Sequence, residues 1–415
     1  MLSFLQVSLL LLLIWTLFYK LLKNKVHSCK GYFVLLFVMA SAGIVLPLED
    51  MIDLDFYPEF SVFGIVLFAL LLISAIVPWL RFDNYLKNVS KFQVNPQYIK
   101  VLNSVMVTMI ILSVFAIVYT LPYAVTAYKM GAADVRSIIK EQSLLPKSPL
   151  TTIAVGVGLL TPVYVLLFYI SLLTEKLKNK SKYLFLGSLT YLVTSASFQA
   201  RDGFVFIPLT YYFLFVVFKK SIPEFEKEKI LKTFRYLFPV LLSFLMLISI
   251  ERFYKYNSDD SLKSLIAGTW GYFYQQPYVF DMNIQPMQFF QGLGHRFELF
   301  AQIFDFPVSQ DFIPTYKFEW MFGTMYSSFY SAEGWFSLFV ASLFFVFSWT
   351  FIMHLLIKNN NHFGVLLVFS LYVYFLISGL FYFRFSAVSI TIVYILLVCS
   401  SLLLNKYDIV RGNDS

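Results

Sequence analysis

Apolar runs of about 20 residues recur from one end of this 415-residue chain to the other. A helix of that length crosses roughly 30 Å of hydrocarbon. Because lipid offers no water to backbone polar groups, such a run is stable there only as a helix or as part of a closed barrel. The runs are continuous rather than alternating, which argues against a β-barrel. The sequence therefore predicts an all-α protein embedded in a membrane.

The composition of the chain supports this class. Hydrophobic residues make up 59% of the chain and charged residues 13%, too few to cover a water-soluble globule. Two cysteines, Cys29 and Cys399, and four scattered histidines lack the spacing of metal ligands, so we do not expect a soluble zinc or iron enzyme. We predict no cofactor. The net charge of +8 lies in short alternating loops rather than in one stripe, so we expect no nucleic-acid partner.

Hydropathy predicts about eleven spans and one polytopic membrane domain over residues 1–415. The first apolar run has no basic segment before it and no small-residue cleavage site, so we interpret it as a span rather than a signal peptide. The predicted spans lie near 2–19, 31–48, 60–80, 101–121, 151–173, 183–200, 203–218, 236–250, 335–357, 363–383 and 385–404.

The basic residues set the predicted orientation. On one side of this threading the loops hold 21 of the 32 basic residues, and loops rich in Lys and Arg stay cytoplasmic. We therefore expect the N-terminus outside and the C-terminus in the cytoplasm. The loop 251–334, between the eighth and ninth spans, lies outside and is rich in aromatic residues. We expect it to fold over the bundle, with short interfacial helices within 262–280 and 297–306.

Four arginines lie in or beside the predicted outer loops, where an anionic substrate would meet the membrane. They are Arg136, Arg201, Arg296 and Arg384. Arginine stays charged when half-buried, and its fork of donors matches phosphate and diphosphate oxygens. Because charges at membrane depth are costly, we interpret the four as diphosphate-binding residues. The alternative is structural, with Arg201 pairing with Asp202 to close a turn and Arg384 reaching the membrane interface.

Acid–base chemistry has several candidates on the same predicted side. The unperturbed pKa of histidine lies near neutrality, so His295 is a candidate general base. Glu333 is a second candidate. Glu298 and Glu319 are competing bases in the same loop. The acidic pair Asp53 and Asp55 suits a divalent cation. The simpler interpretation is that this pair belongs to an acidic outer loop that supports the topology.

Three short stretches resemble motifs of the O-antigen and capsular polysaccharide repeat-unit polymerases. They are residues 131–136 (GAADVR), 195–203 (SASFQARDG) and 323–334 (GTMYSSFYSAEG). The second is similar to a small-residue stretch that ends in an Arg before a span, and the third to an aromatic stretch that runs into an acidic residue and a Gly. In that family an Asp usually follows the Tyr, whereas Ser331 and Ala332 precede Glu333 here.

At the level of topology the resemblance covers nearly the whole chain. It implies a glycosyltransferase-C-like bundle and a metal-independent glycosyltransferase. The implied reaction moves a growing glycan from undecaprenyl diphosphate onto another lipid-linked repeat unit, at the outer face of the bacterial inner membrane. The product would be O-antigen, capsular or exopolysaccharide. The implied partners are the lipid-linked oligosaccharides, a chain-length regulator and a flippase.

Two other classes of function stay open. A lipid-linked oligosaccharide flippase would also need arginines, but in a cavity between two related halves, and the two halves of this sequence show no similarity. An O-antigen ligase, or another glycosyltransferase that uses a lipid-linked sugar, shares a large outer loop with basic residues and a histidine. A metal-dependent glycosyltransferase that uses a monophosphate donor would differ from the polymerase and the ligase in needing a metal ion.

Overall fold

The computed structural model describes residues 2–45, 60–131, 144–198, 200–254, 274–284, 292, 297–304, 324–381, 383, 388–403 and 409–411. It is mostly helical, which confirms the predicted class. The helices are α1 Phe4–Leu22, α2 Lys30–Val45, α3 Val62–Ser74, α4 Val77–Lys87, α5 Ile99–Met130, α6 Pro149–Leu159, α7 Thr161–Ser171, α8 Glu175–Lys178, α9 Ser181–Ser188, α10 Thr190–Ala196, α11 Asp202–Phe218, α12 Glu224–Tyr254, α13 Gln276–Ile284, α14 Glu298–Phe304, α15 Met325–Glu333, α16 Trp335–Lys358, α17 His362–Gly379 and α18 Val388–Leu403. A short 3₁₀ turn, Pro96–Tyr98, precedes α5. Strand β1, Phe92–Val94, pairs antiparallel with β2, Ile409–Arg411.

Within the described residues, six helical stretches are long and apolar enough to cross a membrane. They are Leu5–Leu22, Val62–Lys87, Pro96–Met130, Glu224–Ile248, Trp335–Lys358 and His362–Gly379. The bent pair α6–α7 makes a seventh if it counts as one span. The chain is therefore a multi-pass membrane protein, while the predicted count of eleven spans stays a prediction.

The first helix shows how these spans meet lipid. Leu5, Leu9, Leu13 and Leu17 recur every four residues along one face of α1, and each is about half exposed. The opposite face buries Trp15. An apolar face of this kind would be unfavourable in water, but in a membrane hydrocarbon chains cover it.

Contacts divide the chain into two compact units. Unit 1 comprises residues 1–84, 262–355 and 375–396, and unit 2 comprises 85–261, 356–374 and 397–415. In unit 1, α1 packs on α2 and α3, and α13 packs on α3 and α15. In unit 2, α5 packs on α6, α9 and α10, and α7 packs on α9 and α11. That the chain forms one membrane domain stays a prediction.

In unit 1 a carboxylate from another helix caps the start of α2. The side chain of Asp83, from α4, accepts hydrogen bonds from the backbone N–H groups of His27 (2.7 Å) and Ser28 (2.9 Å). The Ser28 hydroxyl donates a third, at 2.5 Å. The negative charge lies at the positive end of the α2 dipole, so its burial is favourable.

In unit 2 two predicted spans are broken helices. The chain bends by 51° between α6 and α7, and a second break separates α9 from α10 at Leu189. Hydroxyl groups satisfy carbonyls near the first break: Thr161 Oγ1 donates to the Gly158 oxygen (2.8 Å) and Ser370 Oγ to the Pro162 oxygen (2.7 Å). Such replacement partners are what allow a helix to break at membrane depth.

Candidate functional site

The candidate site lies in unit 2, where the chain reverses between α10 and α11. Arg201 directly precedes α11, and Asp202 is the first residue of that helix. Both side chains are buried, with 2% and 9% of their surface exposed. The structure therefore places this charged pair where the sequence predicted it, between two apolar helices.

Asp202 is anchored on both sides of the reversal. Its carboxylate accepts a hydrogen bond from the Tyr191 hydroxyl of α10 and another from the backbone N–H of Gly203, at 2.9 Å. A Cβ added at Gly203 would lie 2.6 Å from Ser195 Oγ and 3.3 Å from Leu192 Cα. Glycine at position 203 thus allows α10 and α11 to approach closely enough for the Tyr191–Asp202 contact.

Electrostatics distinguish the two charges. The Asp202 carboxylate lies in the first turn of α11, where the helix dipole favours a negative charge. Arg201 is the residue directly before α11, at the same end, where the dipole disfavours a positive charge. Burying a guanidinium also costs on the order of several kcal/mol unless its contacts in the protein offset that loss. The dipole of α11 therefore does not by itself explain an arginine here. An anionic ligand would be attracted by the arginine, whereas the positive end of the dipole is already taken by the Asp202 carboxylate.

Aromatic rings pack against one another beside the reversal between α10 and α11. The Tyr191 ring meets Tyr374 edge to face, with centroids 6.4 Å apart, and Tyr374 meets Phe206 of α11 at 6.2 Å. These three residues come from three different helices of unit 2. Their contacts pack α10 and α11 against α17 and so support the hydrogen bond from the Tyr191 hydroxyl to the Asp202 carboxylate.

The small polar residues of α10 serve packing. Thr194, Ser195 and Ser197 are all buried. Thr194 Oγ1 donates to the Thr190 carbonyl (3.0 Å), and Ser197 Oγ donates to the Thr194 carbonyl (2.6 Å). Because backbone carbonyls take their hydroxyl protons, these residues bring helices together and do not form a polar binding surface.

Glu333 lies in unit 1, at the exposed C-terminal end of α15. The rest of that helix is buried: the Tyr326 hydroxyl donates to the Leu71 carbonyl (2.7 Å) and the Tyr330 hydroxyl to the Ile284 carbonyl (3.3 Å). The Glu333 backbone N–H donates to Ser337 Oγ at 2.8 Å. The stretch 324–334 thus forms a buried helix that presents one carboxylate at its end. Glu298, one of the two competing bases, is also exposed and begins α14.

Several predicted site residues lie outside the described residues. They are Arg136, His295, Arg296 and Arg384, together with Asp53, Asp55 and Glu319. The described part of the chain therefore places one of the four predicted arginines, Arg201, and one of the two predicted catalytic residues, Glu333. It brings Tyr191 onto Asp202, the residue that follows Arg201.

The sequence analysis missed a buried carboxylate in unit 1. Asp281, in α13, is fully buried and accepts hydrogen bonds from Ser61 backbone N–H (2.8 Å) and Ser61 Oγ (2.5 Å). Ser61 is the N-cap of α3. No local motif marks Asp281, and its partner lies 220 positions away in the sequence. Tyr191 was missed for a similar reason, since nothing in α10 signals which residue faces Asp202.

Among the described residues, no group of three or more His, Cys, Asp and Glu side chains is placed to hold a metal ion. No protein-family model, curated protein or solved structure matches the chain. The candidate site is therefore defined by its own geometry. It combines a buried arginine at the N-terminus of a helix, which would attract an anion, with a carboxylate anchored by a tyrosine.

Proposed function

We propose that the chain is a metal-independent glycosyltransferase that polymerises undecaprenyl-diphosphate-linked oligosaccharide repeat units at the outer face of the bacterial inner membrane. The observation that carries the proposal is the buried Arg201 at the start of α11. A lipid diphosphate is an anion that reaches the protein from the membrane. An arginine buried at a reversal between apolar helices is well suited to bind it.

The main catalytic requirement of the proposed reaction is to stabilise the negative charge of the leaving diphosphate. A hydroxyl of the acceptor sugar attacks the anomeric carbon of the donor glycan and gives its proton to a base. The bond between that carbon and the diphosphate oxygen breaks, and undecaprenyl diphosphate leaves with the electron pair. Arg201, surrounded by protein rather than water, stabilises the charge that develops on this leaving group. Tyr191 and Asp202 hold the start of α11 and so fix the arginine.

The proposal also gives roles to the other three arginines and to a general base. Arg136, Arg296 and Arg384 share the diphosphates of the donor and acceptor lipids with Arg201. His295 or Glu333 accepts the proton of the acceptor hydroxyl. The exposed carboxylate of Glu333, at the end of a buried helix, is accessible to a sugar.

The orientation is also part of the proposal, with eleven spans, the N-terminus outside, the C-terminus cytoplasmic and loop 251–334 outside. It is supported by the 21 of 32 basic residues in the loops of one side. Alkaline phosphatase fused at Ser148 or Ser309 should be active, whereas a fusion at Ser221 should be inactive. An active cytoplasmic reporter at Ser309 would invert the large loop and contradict this orientation.

The functional test is polymer length on a gel, in a strain that lacks its own polymerase gene and carries this one with matching sugar transferases. Arg201→Ala should lower long-polymer formation about a hundredfold, the effect of losing one charge-assisted contact to a developing anion (about 3 kcal/mol). Arg201→Lys keeps the charge but loses the bidentate fork, so it should recover only part of the activity. EDTA should leave polymer formation unchanged.

Controls separate catalysis from folding. Arg235→Ala removes the same charge from an exposed position on α12 and should leave polymer length unchanged. Immunoblots of membranes give the amount of each variant. Polymerase loss leaves single repeat units at the outer face, whereas flippase loss leaves none there, so the accumulating species separates these functions. Long polymer from Arg201→Ala at normal membrane levels would contradict the proposal, as would loss with EDTA that magnesium or manganese restores.

A further inference from the structure

Helix α12 has two distinct faces along its described length. The buried face carries Glu226, Ile230, Leu241 and Leu245. The exposed face advances by three or four residues at each step, the period of an α-helix, so that its members form one continuous stripe. The stripe consists of Phe225, Lys229, Lys232, Tyr236, Val240, Phe244 and Leu247.

The C-terminal part of this stripe faces lipid. Val240, Phe244 and Leu247 are each about half exposed, and they lie in the span Glu224–Ile248. Lys229 and Lys232 lie on the same face, about three and about two turns before Val240, the first of these apolar residues. A lipid whose chains cover Val240 therefore has its headgroup at the level of the two lysines.

The two lysines are not neutralised by ion pairs. Within the described residues, neither Lys229 nor Lys232 forms an ion pair. The buried Glu226 of the same helix is instead paired with Lys178, at 3.1 Å. Glu228 is exposed beside Lys229 and pairs with neither lysine. The fold thus leaves two ammonium groups, one helical turn apart, on the outward stripe.

Aromatic rings flank the two lysines on the same face. Phe225 is 72% exposed and Tyr236 is 66% exposed. An exposed Phe is unfavourable in water, but aromatic residues beside lysines are typical of the headgroup layer of a membrane. The order aromatic, Lys, Lys, aromatic along one helix face therefore matches the polar layer of a bilayer better than a surface in contact with water.

We propose that the face formed by Phe225, Lys229, Lys232 and Tyr236 binds the headgroup of an anionic phospholipid. The ammonium groups of the two lysines contact the phosphate, and the two rings pack beside the glycerol region. A zwitterionic headgroup carries its own cation beside the phosphate, so two adjacent lysines favour an anionic lipid. The inference does not depend on the proposed glycosyl transfer.

Native mass spectrometry of the full chain in detergent tests this binding. Dioleoyl phosphatidylglycerol and dioleoyl phosphatidylcholine are titrated in parallel, and the bound adducts are counted. The wild-type chain should bind phosphatidylglycerol more tightly. Lys229→Gln and Lys232→Gln should each weaken that binding roughly fivefold, and the double variant roughly 25-fold. Binding of phosphatidylcholine should be unchanged.

Two control variants make the test specific. Lys176→Gln/Lys180→Gln removes the same number of charges away from the stripe and should keep the preference for phosphatidylglycerol. Lys229→Arg/Lys232→Arg retains the charge and should keep it too. The proposal is overturned if the wild-type chain shows no preference, which would assign the face to a protein partner, or if both glutamine pairs weaken binding equally. If the double variant is poorly folded, the two single variants decide by the same criteria.

Discussion

Asp281 of unit 1 and Asp202 of unit 2 are both buried at the start of an apolar helix, but they have different surroundings. Asp281 of unit 1 reaches the start of α3 from another helix and accepts both donors of the N-cap residue Ser61. Asp202 of unit 2 belongs to the helix that it caps and accepts a hydrogen bond from Tyr191. Beside it, Arg201 is buried as well.

The comparison separates a charge whose burial the helix dipole favours from one whose burial it opposes. Asp281 gains from the dipole of α3 and joins α13 to that helix, so its burial has a structural cause. Arg201 stands at the positive end of α11, so contacts elsewhere in the fold must offset the cost of its charge. An arginine held at this cost is the basis of the proposed diphosphate binding.

The largest expected effect is at Gly64, which makes room for Asp281. A Cβ at position 64 would lie 1.8 Å from Asp281 Oδ1, closer than any two atoms can approach without a bond. Gly64→Ala should therefore displace α13 and lower the free energy of unfolding by about 3 kcal/mol. Thermal unfolding of the purified protein in detergent, followed by circular dichroism, measures the change.

A matched glycine provides the control. A Cβ at Gly156 in α6 would meet nothing within 4 Å, so Gly156→Ala should be neutral or stabilise the helix by up to about 1 kcal/mol. Adding Asp281→Ser to Gly64→Ala shortens the clashing side chain and should restore part of the lost stability. If Gly64→Ala unfolds at the wild-type temperature, Asp281 does not occupy the place that this comparison gives it.

The second prediction contrasts the two aspartates directly. Asp281→Asn weakens the hydrogen bonds from Ser61 and should lower the free energy of unfolding by about 2 kcal/mol. Its activity per folded molecule should stay unchanged, since its role is structural. Asp202→Asn should instead lower polymer formation per folded molecule about tenfold, because the weaker contact with Tyr191 lets the start of α11 and Arg201 shift.

Each variant is assayed twice, by polymer length and by the amount of folded protein in membranes. Tyr191→Phe removes the same contact from the other side and should behave like Asp202→Asn. If Asp281→Asn loses activity while it remains folded, or if Asp202→Asn loses only stability, the division between structural and functional carboxylates is wrong.

The helices could be predicted from sequence where long apolar runs decide the outcome. The predicted spans 101–121, 203–218 and 335–357 correspond to α5, α11 and α16 of the structure. Two short helices were expected in the large loop. The one predicted within 297–306 corresponds to α14. Of the range 262–280, the described part contains the start of α13. Burial of apolar surface in lipid is a local property of the chain, which is why hydropathy finds it.

Long-range contacts could not be predicted. At the break between α6 and α7, the Pro162 carbonyl accepts a hydrogen bond from Ser370 Oγ, which lies 208 positions away in the sequence. At the candidate site, Arg201 and Asp202 were found because charge between two apolar runs is visible in a sequence. Tyr191 and Asp281 were not found, because their importance depends on which residue of another helix they meet.

A buried glutamate extends the comparison, with the smallest expected effect. Glu226, near the start of α12, has a known cationic partner, Lys178, at 3.1 Å. The hydrogen bonds of Lys178 to Glu226 and Glu175 raise the pKa of its ammonium group above the ordinary value. The contribution of this ion pair to the free energy of unfolding is therefore complete below the unfolded-state pKa of about 10.4 and is lost as the pH rises through the higher folded-state pKa.

Lys178→Gln should lower the unfolding temperature slightly from pH 7 to about pH 10, and the difference from wild type should vanish at higher pH. Lys176→Gln, an exposed neighbour, should show no difference at any pH. A deficit in Lys178→Gln that persists unchanged at the alkaline end would mean that lost packing, and not the ion pair, destabilises the variant.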